Sequence, residues 1–354
     1  MKPPSIQDIA QALGISIGTV DRALHGRSGI NPTTRTRVLK KAEQLGYRPN
    51  LAARTLKLNR NLRIGVYFPR DIVSFFDPLR AGVRAAASAS IGVNVDVVFR
   101  TFPRFDEGDV ELLAADANQK FDGILVAPGN PRHIEPALRT LARQGVAIVC
   151  VASDAPHSER LASVTADALT SGAIAAELFS RTIQRTGQLA TITGELTTLD
   201  HAEKLRGFAA NLAVFAPHLS LLPAIESHEK PEEAYRQATA LLSRKPYPLG
   251  LYLSTANSIS VLRALEEKDL LGEIQVIATD LFPELVPYIE SGTILATLYQ
   301  RPFAQGKTAL ELLLDYLLNG VAPQPVIRLA PHIILRSNLA LFMARRDQSG
   351  NFVR

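Results

Sequence analysis

The sequence of 354 residues contains one cysteine, no tryptophan and two methionines. A single cysteine excludes an internal disulfide and a cysteine-rich zinc site. Apolar runs are also short, and none approaches the roughly 18 residues that a membrane-spanning helix needs. Residues 1–14 lack the uninterrupted apolar stretch of a secretory signal peptide. We therefore expect a cytoplasmic protein.

Motifs of common catalytic and cofactor sites are missing as well. The sequence has no phosphate-binding P-loop, no G-x-S-x-G nucleophile elbow and no G-x-G-x-x-G dinucleotide fingerprint. The seven histidines follow no metal-ligand spacing. Cys150 lies inside an apolar segment, which favours a buried small side chain over a nucleophile. We expect no enzyme activity, no cofactor and no metal.

Positive charge is concentrated near the N-terminus. Residues 1–63 contain 12 Lys and Arg but only three Asp and Glu, a formal charge of +9, whereas the remainder carries −4. A cationic head on a mildly acidic body indicates a polyanion-binding module joined to a second functional unit. A solvated basic tail is the alternative, and the strong helix start and stop residues of this segment argue against it.

These start and stop residues divide the head into three helices. The first ends at Gly14, and Ser16 is placed to cap the second. Asn31, followed by proline, is placed to start a third helix that ends at Gly46. Two short helices joined by a tight turn predict a helix-turn-helix, whose second helix enters the major groove of DNA.

A further short helix is predicted at about residues 49–58, where Asn50 is the N-cap and Leu56 is the apolar residue. So short a helix is marginal on its own in water. Its small residues allow close approach to a partner helix or a groove floor, and a leucine can wedge between base steps and kink the duplex.

The run IQDIAQALGISIGTVDRALHG, followed by NPTTRTRVLKKAEQLGYRPNLAARTLK, resembles the headpiece and hinge helix of the LacI/GalR family of bacterial transcription regulators over residues 5–58. The resemblance implies a homodimer on a near-palindromic double-stranded DNA operator, with paired hinge helices in the minor groove. It implies an allosteric repressor. The DNA contacts that it implies are Ser16, Ile17, Gly18, Thr19, Arg22, His25, Asn31, Thr34, Tyr47, Asn50, Ala53, Arg54 and Leu56.

Ile17, Gly18 and Arg22 occupy the base-facing positions of this recognition helix. Ile17 and Gly18 offer apolar surface to a thymine methyl group, and Arg22 suits guanine. A phosphate contact is the alternative for Arg22. Asp21 departs from the family, which usually has a small polar residue there. A carboxylate at this position is expected to hold Arg22 or to accept from a cytosine amino group.

From residue 62 onward, short β-branched segments alternate with helical ones. The helical segments between the first four strands lie near 79–90, 107–119 and 133–144. This alternation predicts parallel sheets covered on both faces, here an α/β body of two doubly wound subdomains. Its ligand site is expected in the cleft at the carboxyl ends of the strands. The predicted strands are 62–68, 93–99, 121–127, 146–152, 188–193, 221–226, 249–254 and 274–279.

The body resembles the periplasmic binding protein-like I effector domain of the same family through GELTTLDHAEKLRGF, STANSIS, VIATDLFPEL and ATLYQRPFAQG. No sustained heptad pattern follows residue 340, so we expect a dimer. The predicted organisation is an all-α headpiece at 1–58, an effector-binding body at 62–340 and a polar tail at 341–354. We expect the first subdomain to hold about 62–162 and 293–322, and the second about 163–290 and 323–340.

Residues that follow the predicted strands are the candidate ligand contacts. By resemblance, Lys204, Asn257, Asp280 and Gln300 inherit ligand-contact positions. Lys204 stands where the family usually has arginine, so a two-pronged grip becomes a point charge. The full set predicted to bind ligand is Phe75, Phe76, Asp77, Asp154, His201, Lys204, Asn257, Asp280 and Gln300.

This set fits a neutral polyhydroxylated ligand, a sugar or polyol, because carboxylates and amides bind hydroxyls and aromatic rings cover C–H faces. The alternatives are that Asp280 and Asn257 cap the helices that follow them and that Phe75 and Phe76 belong to the core. Two other functions stay open. A solute-binding protein for transport is disfavoured by the basic head, and a sugar-processing enzyme would use Asp154 and Asp280.

Overall fold

The computed structural model describes residues 6–24, 29–45 and 61–343. The chain divides into two compact units, one with residues 1–61 and the other with nearly all of the rest. We call them the headpiece and the body. No helix within the described residues is long and apolar enough to cross a membrane.

The headpiece consists of the helices Ile6–Leu13, Ile17–Leu24 and Pro32–Gln44. Gly14 ends the first with φ 64°, a left-handed conformation that glycine adopts without a side-chain clash. The predicted helix-turn-helix is confirmed, and Gly46 and the hinge segment 49–58 lie outside the described residues. The core of the unit is small and consists of Ile9, Ala10, Val20, Ala23, Val38 and Ala42.

The first sheet of the body has the strand order β12-β5-β4-β3-β1-β2. Every pairing from β12 to β1 is parallel. The strands β3 and β4 are buried throughout, as expected for a parallel sheet that is covered on both faces. The bounds are β1 Asn61–Pro69, β2 Asn94–Phe102, β3 Gly123–Val126, β4 Ala147–Val151, β5 Ala162–Ala166 and β12 Val326–Leu329.

The second sheet has the order β13-β11-β10-β9-β6-β7, and β8 also pairs with β6. The pairings are parallel except for β13, which runs antiparallel to β11. The bounds are β6 Gly187–Thr193, β7 Leu219–Leu221, β8 Ile225–Glu226, β9 Gly250–Ser254, β10 Gln275–Thr279, β11 Ile294–Tyr299 and β13 His332–Ile334.

Helices cover the sheets and separate their strands. We call the first sheet with its helices the first lobe, and the second sheet with its helices the second lobe. The helices are Val73–Ala89, Asp109–Ala115, Pro131–Arg143, Ala168–Thr182, Leu199–Phe215, Pro231–Leu241, Ser258–Glu266, Val286–Glu290, Pro302–Asn319 and Leu339–Met343, with a 3-10 turn at Pro283–Leu285.

The chain passes between the lobes three times, after β5, after β11 and after β12. The predicted subdomain bounds were therefore wrong in three places. β5 and β12 pair with each other in the first sheet, whereas β11 pairs with β10 in the second. Strand pairing between distant segments decides this division, and no local pattern encodes it. Sequence patterns also missed these three strands and β13.

The helix Val73–Ala89 begins earlier than the predicted residue 79, and it packs closely on Pro302–Asn319. A Cβ atom on Gly82 would lie 2.0 Å from the carbonyl oxygen of Phe303, so only glycine permits this approach. At the start of the same helix, the Phe76 ring contacts Phe68 of β1, with ring centroids 5.8 Å apart.

Candidate functional site

The second helix of the headpiece has one buried and one exposed face. Val20 and Ala23 are buried in the headpiece core. Ile17 is 50% exposed, and Gly18 and Arg22 are also exposed. The Arg22 side chain donates from Nε to the Gly18 carbonyl oxygen at 3.1 Å, so it lies back along the helix toward Gly18. The three predicted base-facing residues thus share one accessible surface.

Four other residues predicted to contact DNA lie near the starts of helices: Ser16, Thr19, Asn31 and Thr34. Ser16 Oγ accepts from the Thr19 amide at 3.2 Å and lies 2.8 Å from Thr19 Oγ1. Asn31 Oδ1 accepts from the Thr33 amide at 2.9 Å, and Thr34 is half-buried one residue further along. Both caps were predicted. The other predicted DNA contacts, His25, Tyr47, Asn50, Ala53, Arg54 and Leu56, lie outside the described residues.

A cavity lies between the two lobes of the body, with about 390 Å³ of space between its lining atoms when the open solvent at its mouth is included. Its lining residues lie at or just beyond the carboxyl ends of strands from both sheets, where ligands bind in parallel α/β folds. The lining is Ile72, Phe75, Phe76, Phe105, Ala152, Asp200, His201, Lys204, Glu229, Ser254, Thr255, Ala256, Thr279, Asp280 and Gln300.

The first lobe supplies an aromatic wall. Phe75 and Phe76 pack edge to face with ring centroids 5.0 Å apart, and Phe76 meets Phe105 at 5.7 Å. Phe105 also reaches the His201 ring of the second lobe at 6.4 Å. Aromatic faces of this kind cover the C–H surface of a ring-shaped ligand while polar groups opposite them bind its oxygens.

Lys204 and Asp200 form a buried ion pair on the second lobe. Lys204 Nζ donates to Asp200 Oδ2 at 2.5 Å, and the two side chains are only 2% and 10% exposed. Spacing of four residues on the helix Leu199–Phe215 brings them onto one face. The point charge predicted at Lys204 is therefore paired within the cavity wall.

His201 and Glu229 form a second buried pair. His201 Nε2 lies 3.0 Å from Glu229 Oε1, and its Nδ1 lies 3.0 Å from the Ser254 carbonyl oxygen. Glu229 Oε2 accepts from Thr255 Oγ1 at 3.2 Å. A Cβ atom at Gly194 would lie 1.8 Å from Glu229 Oε1 and 2.7 Å from the His201 ring, so a side chain there would displace this pair.

Asp280 is held by Gln300 from the adjacent strand end. Its Oδ1 accepts from the Gln300 backbone N–H at 3.1 Å, and its Oδ2 accepts from Gln300 Nε2 at 2.8 Å. Burial raises the pKa of Asp280 to about 6, against the opposing effect of Lys204 and of these hydrogen bonds. The carboxylate is thus costly to ionise without further donors, which a ligand can provide.

Asp200 Oδ1 is a buried polar atom of the cavity wall without a hydrogen-bond partner, and the buried hydroxyl groups of Ser254 and Thr279 have only the Tyr252 hydroxyl as a neighbour. Buried polar groups are almost always paired, with protein or with water. Their convergence on one cavity, beside the polar side chains above, indicates a wall arranged for a ligand that has several hydroxyl or amine groups.

Six of the nine predicted ligand residues line this cavity: Phe75, Phe76, His201, Lys204, Asp280 and Gln300. The capping alternative for Asp280 was wrong, because the turn that follows starts from Phe282. Phe76 is fully buried and Phe75 is 8% exposed, so both are core residues that also form the cavity wall.

The other three predicted residues do not line it. Asp77 points elsewhere and pairs with Arg80 at 2.6 Å. Asp154 is held by Arg160, whose Nη2 donates to Oδ2 at 2.6 Å. Asn257 lines the wider mouth of the cleft, where its amide lies 3.4 Å from Glu229 Oε2. Basic neighbours occupy the two aspartates, and a carboxylate that already has such a partner has less to offer a ligand.

Sequence reasoning missed six polar or aromatic lining residues: Phe105, Asp200, Glu229, Ser254, Thr255 and Thr279. Position relative to the strand ends could have found Ser254 and Thr279, which close β9 and β10. Asp200 is one helical turn before Lys204, a spacing typical of an ion pair. Phe105 and Glu229 stand in loops whose path the sequence does not encode.

The loop that carries Glu229 is closed by its own polar contacts. His228 Nδ1 lies 2.7 Å from Glu195 Oε2, and Glu226 accepts from the Leu196 backbone N–H at 2.8 Å. Glu195, Glu226 and His228 lie close enough to share a cation. In this structure, these residues instead connect the two loops through the contacts just described. His228 and Glu229 have φ angles of 50° and 52°, so these contacts hold a strained turn.

Residues 5–50 match the family of bacterial regulatory proteins of lacI type, and residues 64–320 match the periplasmic binding protein domain. The chain belongs to the LacI family of bacterial regulatory proteins. A LacI-family headpiece joined to a binding-protein body is a DNA-binding transcription regulator whose operator affinity an effector controls. The predicted fold class and family are confirmed.

Full-length relatives have the same organisation. Catabolite control protein A of Priestia megaterium is 23% identical over 339 residues, 93% of this chain and 97% of its own. The transcriptional repressor PurR of Aliivibrio fischeri strain MJ11 is 26% identical over 352 residues, 95% and 98% of the two chains. The maltose regulon regulatory protein MalI of Escherichia coli is 27% identical over 248 residues, 69% and 70%.

Solved structures show the same fold for the body. The glucose-galactose binding protein GanP of Geobacillus stearothermophilus superposes with a TM-score of 0.72 at 24% identity, covering 79% of this chain and 99% of its own. A solute-binding protein of Agrobacterium vitis with bound D-fucose superposes with a TM-score of 0.74 at 19% identity, covering 82% and 100%. The two-lobed periplasmic binding protein fold is therefore that of this LacI-family body.

Proposed function

We propose that this protein is a repressor that binds a near-palindromic operator as a homodimer and that a neutral sugar or polyol in the cleft controls its operator affinity. The cleft binds this effector without turnover, and the protein acts in the bacterial cytoplasm. The observation that carries the proposal is the cavity lining, which combines three phenylalanine rings with a set of buried polar side chains, among them Asp200 with an unpaired Oδ1.

The aromatic wall and the polar wall fit the two kinds of surface on a sugar ring. Phe75, Phe76 and Phe105 suit its C–H face, and Asp280 and Lys204 suit its hydroxyl groups. A solved neighbour of the body binds D-fucose and another binds myo-inositol, both neutral polyols. These neighbours support the class of ligand but do not identify the compound.

The DNA side of the proposal is supported by charge and by the exposed helix face. Residues 1–63 carry a formal charge of +9, and a dimer presents this charge twice to the phosphate backbone. Ile17, Gly18 and Arg22 face outward on the second helix and are assigned to base contacts in the major groove. The predicted backbone contacts and hinge residues position that helix.

Coupling between the two sites follows from linkage. An effector that closes the cleft favours one relation of the lobes, and this alters the spacing of the two headpieces in the dimer. Operator affinity then changes with effector, and effector affinity changes with operator by the same factor. Couplings of this kind amount to about 1–3 kcal/mol, or roughly five- to 150-fold.

The test combines a ligand screen with a DNA-binding assay on the full chain. Neutral sugars and polyols, including D-fucose, D-galactose, D-arabinose and myo-inositol, are screened by thermal shift. An operator is selected by the protein from random duplexes, and each hit is titrated into the fluorescent operator complex. We expect at least one hit to change operator affinity at least fivefold.

Two results would contradict the proposal. One is failure to select any near-palindromic duplex, and the other is a set of cleft ligands that leave operator affinity unchanged. Each hit is also incubated with the protein and recovered. Chemical conversion of a recovered hit would favour an enzyme that uses the same cleft.

A further inference from the structure

The positive charge of the cavity wall, on Lys204, is already neutralised by a neighbouring carboxylate. Lys204 is the only lysine or arginine among the cavity-lining residues, all of which belong to the described part of the chain. Its Nζ is bonded to Asp200 Oδ2 at 2.5 Å, in a contact that leaves both side chains at least nine-tenths buried. Asp200 thus removes the one positive charge that an anionic ligand could use.

The His201–Glu229 pair adds no net charge. His201 Nδ1 lies 3.0 Å from the Ser254 carbonyl oxygen, which only accepts, and 3.2 Å from Thr193 Oγ1, which itself donates to that carbonyl oxygen at 3.3 Å. We therefore assign a hydrogen to Nδ1. The 3.0 Å contact from Nε2 to Glu229 Oε1 then requires one more proton between the two atoms. Wherever that proton resides, the pair is neutral overall.

Asp280 is left as the uncompensated group. Its oxygens accept from Gln300, which is neutral, and the pair Asp200–Lys204 cancels itself. The ionised cavity therefore carries one net negative charge. A ligand phosphate or carboxylate would have to be buried beside it without a free cation, which is strongly unfavourable.

We propose that Asp200 is a specificity-determining residue of the effector cleft: it keeps Lys204 paired, offers its free Oδ1 to a ligand donor, and so selects uncharged polyols against phosphorylated sugars and sugar acids. The proposal rests on the proposed function, since it specifies the effector of the same site. Asp200 Oδ1 is buried in the cavity wall without a hydrogen-bond partner, and it requires a donor such as a hydroxyl group.

The test measures binding of three sets of probes to the full chain by titration calorimetry. D-glucose, D-galactose and D-mannose are each compared with their 6-phosphate and their uronic acid. In the wild type, we expect a free sugar to bind and its two anionic derivatives to bind at least tenfold more weakly. Asp200→Asn frees Lys204, so it should reduce this preference by about tenfold.

A double variant separates charge from folding. Asp200→Asn/Lys204→Met removes both members of the pair and restores the net charge of the cavity, so the wild-type preference should return. Glu177→Gln is the matched control, because Glu177 and Arg181 form an exposed ion pair with the same spacing on another helix of the second lobe. This control should leave the preference unchanged.

Four outcomes overturn the inference, the last of them together with the proposed function. A phosphate or uronate that binds the wild type better than its free sugar would show that anions are accepted. An unchanged preference in Asp200→Asn would show that Asp200 does not set it. If that single variant binds no probe, the double variant decides, and a lost preference there overturns the inference. If no probe binds the wild type, the proposed effector class itself fails, and the inference falls with it.

Discussion

The headpiece and the body of this protein differ in the burial of their functional side chains. The headpiece has a core of six small or medium apolar residues and presents its functional side chains outward, among them Ile17 at 50% exposure. The body buries its functional side chains between two lobes, among them Lys204 at 1%. An exposed site depends on charge and local helix geometry, whereas a buried site depends on which polar and charged side chains pair with one another.

The largest effect should come from separating the two units. Deletion of residues 1–58 removes the +9 segment apart from its last residues, so operator binding should fall below detection. Ligand binding should persist, because the cavity and its surrounding cores belong entirely to the body. Fluorescence anisotropy with operator DNA and calorimetry with effector measure the two functions. Sequence-specific binding by the truncated body would mean that the comparison is wrong.

Asp280→Ala tests the buried site in the intact chain. It removes an acceptor from the cavity and leaves Gln300 donors unpaired, which costs about 1–3 kcal/mol, or roughly five- to 200-fold in effector affinity. Operator affinity without effector should stay the same, since the headpiece is untouched. Effector titrations of the operator complex give the midpoint for each protein. Equal midpoints at equal melting temperature would remove Asp280 from the site.

The pH dependence of the free energy of unfolding should reflect the titration of Asp280. The folded pKa of Asp280 is raised from 3.8 to about 6, so its stabilising contribution is complete below pH 4 and is lost as pH rises through 6. The lost contribution is about 2–3 kcal/mol. Asp280→Asn does not titrate, so urea unfolding of the two proteins should diverge between pH 4 and pH 6, with the wild type losing stability relative to the variant. If the free energies of unfolding of the two proteins changed in parallel with pH, the conclusion that burial raises the pKa of Asp280 would be wrong.

Arg22→Lys gives the smallest effect and refines the exposed side of the comparison. Lysine keeps the charge but loses the bidentate geometry that reads guanine, so affinity for the selected operator should fall about tenfold. Affinity for random duplex DNA should hardly change. Competition between the two DNAs at fixed salt measures the ratio. An equal loss of affinity for both DNAs would assign Arg22 to a phosphate contact instead.

The exposed unit was predictable because its information is local. Gly14 ends a helix through its own backbone freedom, and Ser16 and Asn31 cap helices through bonds to amides two or three residues away. Alternation of strands and helices likewise predicted a two-lobed α/β body with its site at the carboxyl ends of the strands. Family resemblance added the positions of Lys204, Asp280 and Gln300.

The errors lie where distant segments meet. Asp77 and Asp154 follow strand ends as expected, yet Arg80 and Arg160 hold them outside the cavity. β5, β11 and β12 were assigned to the wrong lobes or missed, because the chain crosses between the lobes three times. Asn257 follows the predicted strand but lies at the mouth of the cleft. The pair Asp77–Arg80 is an exception, because its partners stand three residues apart on one helix. The other outcomes are not encoded within a few residues of the position concerned.

By itself, the sequence determined the helices of the headpiece, the concentration of positive charge, the fold class and the family, since these depend on local spacing and composition. Tertiary structure decided which charged groups of the effector site are buried together. It buried the i,i+4 pair Lys204–Asp200, joined His201 to Glu229 and gave Asp280 a neutral hydrogen-bond partner in Gln300. The physical reason is that a buried charge acts through its nearest partners: helix spacing sets the pair Lys204–Asp200, whereas the folding of the lobes sets its burial and the partners of His201 and Asp280.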